Sequence, residues 1–192
     1  MVTSITSSQE AIDLEDKYGA HNYHPLPVVL NRGEGVFLWD VEGKRYYDFL
    51  SAYSAVNQGH CHPRIIHALI DQAKELTLTS RAFYNDKLGL AEKFVCETFG
   101  YDKALFMNSG AEANETAIKL ARKWGYTKKG IPENQATIVV ARKNFHGRTT
   151  TIISASSDPS ARKGFGPFMP GFELIDYDDV DALAKALANP HV

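Results

Sequence analysis

The feature that most constrains the fold is a regular alternation of strand-like and helix-like segments in the second half of the chain. The predicted elements there are, in order, a strand over 103–107, a helix over 111–126, a strand over 136–142, a helix over 148–154, a strand over 172–175 and a helix over 180–188. The strand at 136–142 (ATIVVAR) is almost continuously apolar, which is typical of a strand buried on both faces. This alternation predicts an α/β fold with a mainly parallel sheet flanked by helices. A further strand would naturally follow the last helix, so we expect the sheet to be incomplete in this chain.

The first half of the chain has a different pattern. Its predicted elements are an amphipathic helix over 8–18, short strands over 28–30, 36–40 and 45–49 with turns at 31–35 and 41–44, a helix from Pro63 to Thr77, and a helix capped by Asp86 that runs to Phe99. Short strands separated by glycine-containing turns predict a small β-rich layer. We therefore divide the chain into an N-terminal segment of a small domain, residues 1–55, and the first part of a large domain, residues 56–192.

Composition excludes several classes of partner. The 192 residues carry a net charge of −2, which gives no electrostatic basis for binding nucleic acid or an anionic membrane. No apolar run approaches the roughly 18–20 residues that span a bilayer. The two cysteines, Cys61 and Cys96, lack the spacing of a disulfide framework and indicate a reducing compartment. The first ten residues are rich in Ser and Thr and contain no Arg, so we expect no targeting signal and a cytoplasmic protein.

A turn of small residues links the predicted strand at 103–107 to the helix that follows it. Gly110 allows close approach to the backbone, and the first N–H groups of a helix form a natural anion site. Ser109 can add a hydroxyl donor. A plain helix cap fits equally well, because Ser109-x-x-Glu112 is a capping box. The sequence contains neither the P-loop nor the dinucleotide-binding glycine pattern.

A second turn, residues 143–149 (KNFHGRT), follows the predicted strand at 136–142. Phe145 can present a flat face to a planar ring, and Arg148 can hold a carboxylate through two parallel hydrogen bonds. Alternatively, Phe145 belongs to the core and Arg148 to a structural ion pair. Both turns lie at the carboxyl ends of strands, where ligands bind in open α/β sheets. Together they offer what a phosphorylated aromatic cofactor and an amino-acid substrate require.

Two groups of residues resemble metal ligands but do not predict a metal site. His60, His62 and the nearby His67 are of the type that binds zinc, yet no second cluster stands at a standard spacing. The acidic run at 176–179 lacks the calcium-loop pattern and suits the first turn of the last helix. We predict no metal site.

Five motifs in order along the chain resemble those of fold-type I enzymes that depend on pyridoxal 5'-phosphate (PLP). The motifs are 35–40 (GVFLWD), 43–49 (GKRYYDF), 59–63 (GHCHP), 108–115 (NSGAEANE) and 145–148 (FHGR). They resemble the N-terminal part of the class III subgroup that contains the ornithine, acetylornithine and 4-aminobutyrate aminotransferases. Three further segments look most like the ornithine enzymes: 17–27 (KYGAHNYHPLP), 51–59 (SAYSAVNQG) and 119–126 (KLARKWGY).

The resemblance implies roles for individual residues. The cofactor phosphate would be held by Ser109, Gly110 and Ala111. Phe145 would stack on the pyridine ring, beside which His146 lies in this motif. For the substrate, the resemblance implies binding of the carboxylate side of ornithine by Tyr23 and Arg148, and a pocket for its other end shaped by Tyr53. It also implies a homodimer, with residues 80–84 (SRAFY) near the partner's active site.

The implied reaction transfers the δ-amino group of ornithine to 2-oxoglutarate through PLP. The products would be glutamate and glutamate semialdehyde, which cyclises to pyrroline-5-carboxylate. The family also needs a lysine for the cofactor and an aspartate for the pyridine nitrogen, and neither motif occurs here. We therefore expect no catalytic residue within these 192 residues, and we expect the chain alone to be inactive. Alternatives are an acetylornithine or 4-aminobutyrate aminotransferase, a non-catalytic PLP- or phosphate-binding module, and a structural subunit that supplies a dimer surface from residues 60–84.

Overall fold

The computed structural model describes residues 5–192. The chain forms two compact units, Met1–Asn85 and Asp86–Val192. The predicted domain boundary between residues 55 and 56 stays a prediction. The expectation about a targeting signal falls partly on residues 1–4, which lie outside the described residues. No helix among the described residues is long and apolar enough to cross a membrane.

The first unit is built on a three-stranded antiparallel sheet. Its elements are α1 (Ser8–Tyr18), β1 (Leu30–Glu34), β2 (Phe37–Asp40), β3 (Arg45–Tyr47), a one-turn segment α2 (Ser51–Ser54) and α3 (Pro63–Glu75). The strand order is β1-β2-β3, with Gly33 opposite Leu38 and Phe37 opposite Tyr47. The prediction of a turn over 31–35 was wrong in extent, because β1 runs to Glu34. The chain reverses at Gly35, whose φ of 57° suits glycine.

The segment α2 is unusual because it is left-handed. Ser51, Ala52, Tyr53 and Ser54 have φ angles of 48°, 46°, 57° and 72°. In this region the Cβ atom of an L-residue crowds the following carbonyl oxygen, at a cost of roughly 1–2 kcal/mol per residue. Four such residues in succession persist only where the surrounding structure holds them.

The second unit contains the parallel sheet and most of the helices. Its elements are α4 (Leu88–Phe99), α5 (Gly110–Trp124), a π-helical turn (Gly125–Lys129), β4 (Ile138–Ala141), α6 (Thr150–Ser154), α7 (Pro159–Arg162), β5 (Phe172–Ile175) and α8 (Val180–Leu187). β4 and β5 pair in parallel, from Ile138 opposite Phe172 to Ala141 opposite Ile175. The predicted parallel arrangement of these two strands is confirmed. Within residues 5–192, the buried apolar residues all lie in this unit: Ile131, Ala136, Ile152, Ile153, Ala155 and Ala186.

Three local predictions in this unit were wrong. Residues 103–107 form no strand, because no ladder partner pairs with them among the described residues. Asp86 does not cap α4, whose N-cap is Lys87; the Asp86 carboxylate instead accepts a hydrogen bond from the Lys87 ammonium. The stripe expected to pack on α5 is exposed, including Leu120 and Trp124.

Candidate functional site

The first turn of α5 has the donor groups that an anion site requires. Ser109 is the N-cap, and its Oγ accepts a hydrogen bond from the N–H of Glu112 at 3.2 Å. The N–H groups of Gly110 and Ala111 open the helix and have no intrahelical acceptor. The hydroxyl hydrogen of Ser109 remains available, and the space around Gly110 is open. Two backbone donors, one hydroxyl and the positive end of the helix dipole suit a phosphate group.

The second turn carries the predicted ring-stacking and carboxylate-binding residues. Phe145 is 78% exposed, so it lies outside the core, contrary to the alternative interpretation. Arg148 is also exposed, two residues before α6 begins. The turn borders a cavity of about 420 Å³ that is lined by Phe145, His146, Arg148, Asp158 and Phe165, among others. This volume falls within the range of small-molecule sites.

The two turns are in direct contact. Gly147, with a φ of 130°, approaches so closely that a Cβ atom on it would lie 2.7 Å from the Cβ of Ala111. Next to this contact, the Oγ1 of Thr149 donates a hydrogen bond to the Glu115 carboxylate at 2.5 Å. The structure thus brings the predicted phosphate and ring-stacking residues together within one unit.

Asn114 joins the same two turns through its side-chain amide. Its Nδ2 donates to the carbonyl of Gly110 at 3.0 Å and to the carbonyl of His146 at 3.0 Å. Asn114 therefore adds a hydrogen-bonded link between the start of α5 and the aromatic turn, beside the contact of Gly147 with Ala111. Sequence reasoning missed this role, because a bond between residues 32 apart depends on the tertiary fold.

Asn144 sets the tautomer of His146. The Nδ2 of Asn144 uses its two hydrogens on the carbonyls of Ala141, at 2.6 Å, and Ala155, at 2.9 Å. Its Oδ1, which is an acceptor, faces the Nδ1 of His146 at 2.8 Å. The hydrogen of the neutral imidazole is therefore on Nδ1, and Nε2 carries a lone pair. In this tautomer, the Nε2 of His146 is a hydrogen-bond acceptor.

The other two predicted substrate residues belong to the first unit. Tyr23 lines a pocket of about 300 Å³ that is bordered also by Glu15, Asp16, His21 and His24. Tyr53 stands on the left-handed segment α2 and is 88% exposed. The six other predicted site residues are all in the second unit.

A helix start with donors suited to an anion, held against a turn with an exposed aromatic ring and an arginine, has the groups that a phosphorylated aromatic cofactor requires. The chain belongs to the family aminotransferase class-III, whose model matches residues 18–189. Members of this class use PLP, and the residues of the two turns fit its phosphate and its ring. The predicted fold type is therefore confirmed.

The chain is similar to several enzymes that are named ornithine aminotransferases. It is 67% identical to the mitochondrial ornithine aminotransferase of Drosophila melanogaster over 178 residues, 93% of this chain and 41% of the relative. It is 58% identical to the ornithine aminotransferase of Plasmodium falciparum over 191 residues, which cover 46% of that relative. The chain thus spans less than half the length of the curated relatives it matches.

The solved structures similar to this chain include both ornithine and acetylornithine aminotransferases. The ornithine aminotransferase of Toxoplasma gondii, with partial occupancy of PLP at its active site, superposes with a TM-score of 0.96 at 50% identity, covering 98% of this chain and 44% of that one. An acetylornithine aminotransferase of Elizabethkingia anophelis has a TM-score of 0.82 at 63% identity, covering 96% of this chain and 44% of that one.

Proposed function

We propose that this chain belongs to an ornithine aminotransferase and supplies the part that holds PLP and the substrate carboxylate. The complete reaction transfers the δ-amino group of ornithine to 2-oxoglutarate and yields glutamate and glutamate semialdehyde, which cyclises to pyrroline-5-carboxylate. The contact between the two turns, Gly147 against Ala111, carries the proposal because it joins an anion site to a ring-binding site. The similarity to enzymes named ornithine aminotransferases supports the substrate.

The cofactor would be held by five residues of the second unit. Ser109, Gly110 and Ala111 would bind its phosphate through one hydroxyl and two backbone N–H groups. Phe145 would lie against its ring, and His146 would offer the lone pair of Nε2 to a donor at the ring's edge. Bound PLP supplies an electron sink for the negative charge that develops on a substrate carbon.

The substrate would be oriented by three further residues. Arg148 would bind the α-carboxylate of ornithine through two parallel hydrogen bonds, a geometry that fits a guanidinium better than an ammonium. The resemblance also implies a role for Tyr23 in binding the carboxylate side of ornithine, and for Tyr53 in shaping the pocket around the other end. This orientation leaves the δ-amine to react.

The second candidate is an acetylornithine aminotransferase. The 63% identity with the Elizabethkingia anophelis structure of that name favours it. Tyr23 and Tyr53 favour ornithine, because their surrounding segments resemble the ornithine enzymes in particular. The two candidates share fold and cofactor and differ only in the amine.

We propose a homodimer as the assembled form and the cytoplasm as its location. Exposed apolar residues in 60–84, such as Leu78, Phe83 and Tyr84, support an interface there. Cys61 and Cys96 are free thiols, which fits a reducing compartment. Some relatives are named mitochondrial, so fractionation of cells that express the tagged protein is the test of location.

The deciding experiment is a turnover assay on the complete protein with PLP and 2-oxoglutarate. Ornithine, acetylornithine and 4-aminobutyrate are supplied in parallel, and the cyclised product of ornithine is detected directly. Selective turnover of ornithine would support the proposal, and selective turnover of another amine would replace the substrate. Binding of PLP without turnover of any amine would support a non-catalytic binding module.

A further inference from the structure

The left-handed segment α2, which carries Tyr53, is held by one carboxylate. The Oδ1 of Asp48 accepts hydrogen bonds from the N–H groups of Leu50, at 3.0 Å, and Ser51, at 2.8 Å. Its Oδ2 accepts from the Nε2 of His60 at 2.7 Å. The Asp48 side chain is only 9% exposed, and that of His60 is 21% exposed.

His60 is itself fixed to the strands of the sheet. Its backbone pairs with Gly35 through two hydrogen bonds of 2.8 and 3.0 Å. Its ring lies against Gly33, where an added Cβ atom would be 2.8 Å from the imidazole. A firm link therefore runs from the β1–β2 turn through His60 and Asp48 to the first residues of α2.

Residues 51–54 all have a φ angle that side chains rarely adopt. Such a conformation relaxes unless neighbouring groups over-determine it. Among the described residues, Asp48 is the acidic side chain that bonds the backbone at the start of this segment. The direction of the Tyr53 side chain depends on those angles, because rotation of the backbone at residues 51–53 re-aims it.

We propose that Asp48 and His60 are positioning residues for Tyr53 and thereby determine the preference among amine substrates. The inference rests on the proposed function, in which Tyr53 shapes the pocket for the far end of ornithine. Neither Asp48 nor His60 needs to touch the substrate for this effect. Loss of either one releases α2, and the pocket then no longer discriminates between ornithine and a shorter amine such as 4-aminobutyrate.

The test uses Asp48→Asn and His60→Gln in the complete protein with PLP. The ratio of kcat/KM for ornithine to kcat/KM for 4-aminobutyrate should fall by about tenfold or more in both variants, the size expected for one pocket contact. In a Tyr53→Ile background the same two substitutions should leave the ratio unchanged, because they act through Tyr53. If the ratio of kcat/KM values falls equally in the wild-type and the Tyr53→Ile backgrounds, the proposal is wrong.

The matched control is Asp40→Asn. Asp40, at the end of β2 in the same unit, is a buried carboxylate that accepts hydrogen bonds from the N–H of Lys44 and the hydroxyl of Tyr46, both at 2.7 Å. This variant should lose stability yet keep the substrate ratio. If Asp40→Asn lowers the ratio as much as Asp48→Asn does, the effect is general destabilisation and the proposal is wrong.

A readout without turnover separates this inference from the proposed function. With fluorotyrosine incorporated, the Tyr53 resonance, assigned by its loss in Tyr53→Phe, should be single and sharp in the wild type and in Asp40→Asn. The Tyr53 resonance should shift or broaden in His60→Gln. If Asp48→Asn does not fold, His60→Gln alone provides the test. An unchanged Tyr53 resonance in His60→Gln would contradict the positioning role, whichever amine the enzyme uses.

Discussion

Gly147 and Ala111 approach so closely that no side-chain atom fits between the backbone of one and the methyl group of the other. A Cβ atom on Gly147 would lie 2.7 Å from that of Ala111, and the φ of 130° at Gly147 is one that other residues rarely adopt. The substitution Gly147→Ala should therefore cost about 1–3 kcal/mol of stability from overpacking alone and weaken PLP binding. Chemical denaturation and a PLP titration would measure the two effects.

Gly130→Ala is the matched control for that substitution. Gly130 also has a positive φ, 77°, but an added Cβ atom there meets nothing within 4 Å. The Gly130→Ala variant should lose stability through backbone strain and bind PLP as the wild type does. Equal loss of PLP affinity in the two variants would mean that PLP binding does not depend on the close contact between Gly147 and Ala111.

Asn114→Ala should weaken PLP binding more than it weakens the fold. The variant removes both hydrogen bonds that join the carbonyls of Gly110 and His146, so each turn survives but loses one of the links that hold their spacing. We expect a rise of about tenfold in the Kd for PLP, with a loss of about 1–2 kcal/mol in stability. Asn189→Ala, which removes an exposed side-chain acceptor for the N–H of His191, should leave the Kd for PLP as it is.

The imidazole of His146 should be in the Nδ1–H form when neutral. Nitrogen-15 NMR of labelled histidine distinguishes the two tautomers, and the His146 signal is assigned by its loss in His146→Gln. Asn144→Ala removes the acceptor at 2.8 Å and should let the hydrogen move to Nε2. A wild-type spectrum with the hydrogen on Nε2 would refute the assignment.

Arg148→Lys should raise the KM for ornithine by about tenfold, because an ammonium cannot form the two parallel bonds of a guanidinium. Substrate saturation curves at fixed 2-oxoglutarate give the value. Arg142→Lys is the comparison, since Arg142 forms an exposed ion pair with Asp176 at 3.3 Å, a type of pair that contributes little. A KM that rises equally in both variants would argue against carboxylate binding by Arg148.

Stability at low pH should depend on Asp48. Two hydrogen bonds lower the pKa of Asp48 below its ordinary value: the larger effect comes from the N–H of Ser51 and the next from the side chain of His60. The Asp48 carboxyl therefore binds a proton more tightly in the unfolded chain than in the folded one. Its contribution to folding stability is complete above about pH 3.9, the ordinary pKa of aspartate. That contribution is lost as the pH falls through the lower pKa of Asp48 in the folded chain. The Tm difference between the wild type and Asp48→Asn should therefore shrink below about pH 4; a constant difference down to pH 2 would contradict this.

The parts of the fold that were predictable depend on local pattern. The apolar runs at 138–141 and 172–175 identified β4 and β5, and their parallel pairing followed from the helices between them. Residues 103–107 have the same apolar character but form no strand, because strand formation requires a hydrogen-bonded neighbour. The prediction of a packed stripe on α5 was wrong for a similar reason, since the spacing of apolar residues alone does not reveal which face of a helix packs against its neighbours.

The candidate site also contains residues that the sequence predicted and residues that it did not. The turns around Ser109 and Phe145 were visible as small or aromatic residues next to predicted strands and helices. Asn114 and Asn144 were not, because their roles are side-chain hydrogen bonds to backbone groups that only the folded chain brings near. Asp48 and His60 lie within two of the sequence motifs, but nothing in their spacing indicates a bond between them.

The double hydrogen bond of Asn114 has a consequence for ligand selection. Because this amide and the contact of Gly147 with Ala111 together hold the two turns at a fixed separation, we expect the candidate site to select ligands by their length. We expect it to accept a ligand whose anionic group and planar ring are one particular distance apart, and to reject an analogue with one more methylene between them. Evolution toward a different ligand would have to alter the two turns in concert.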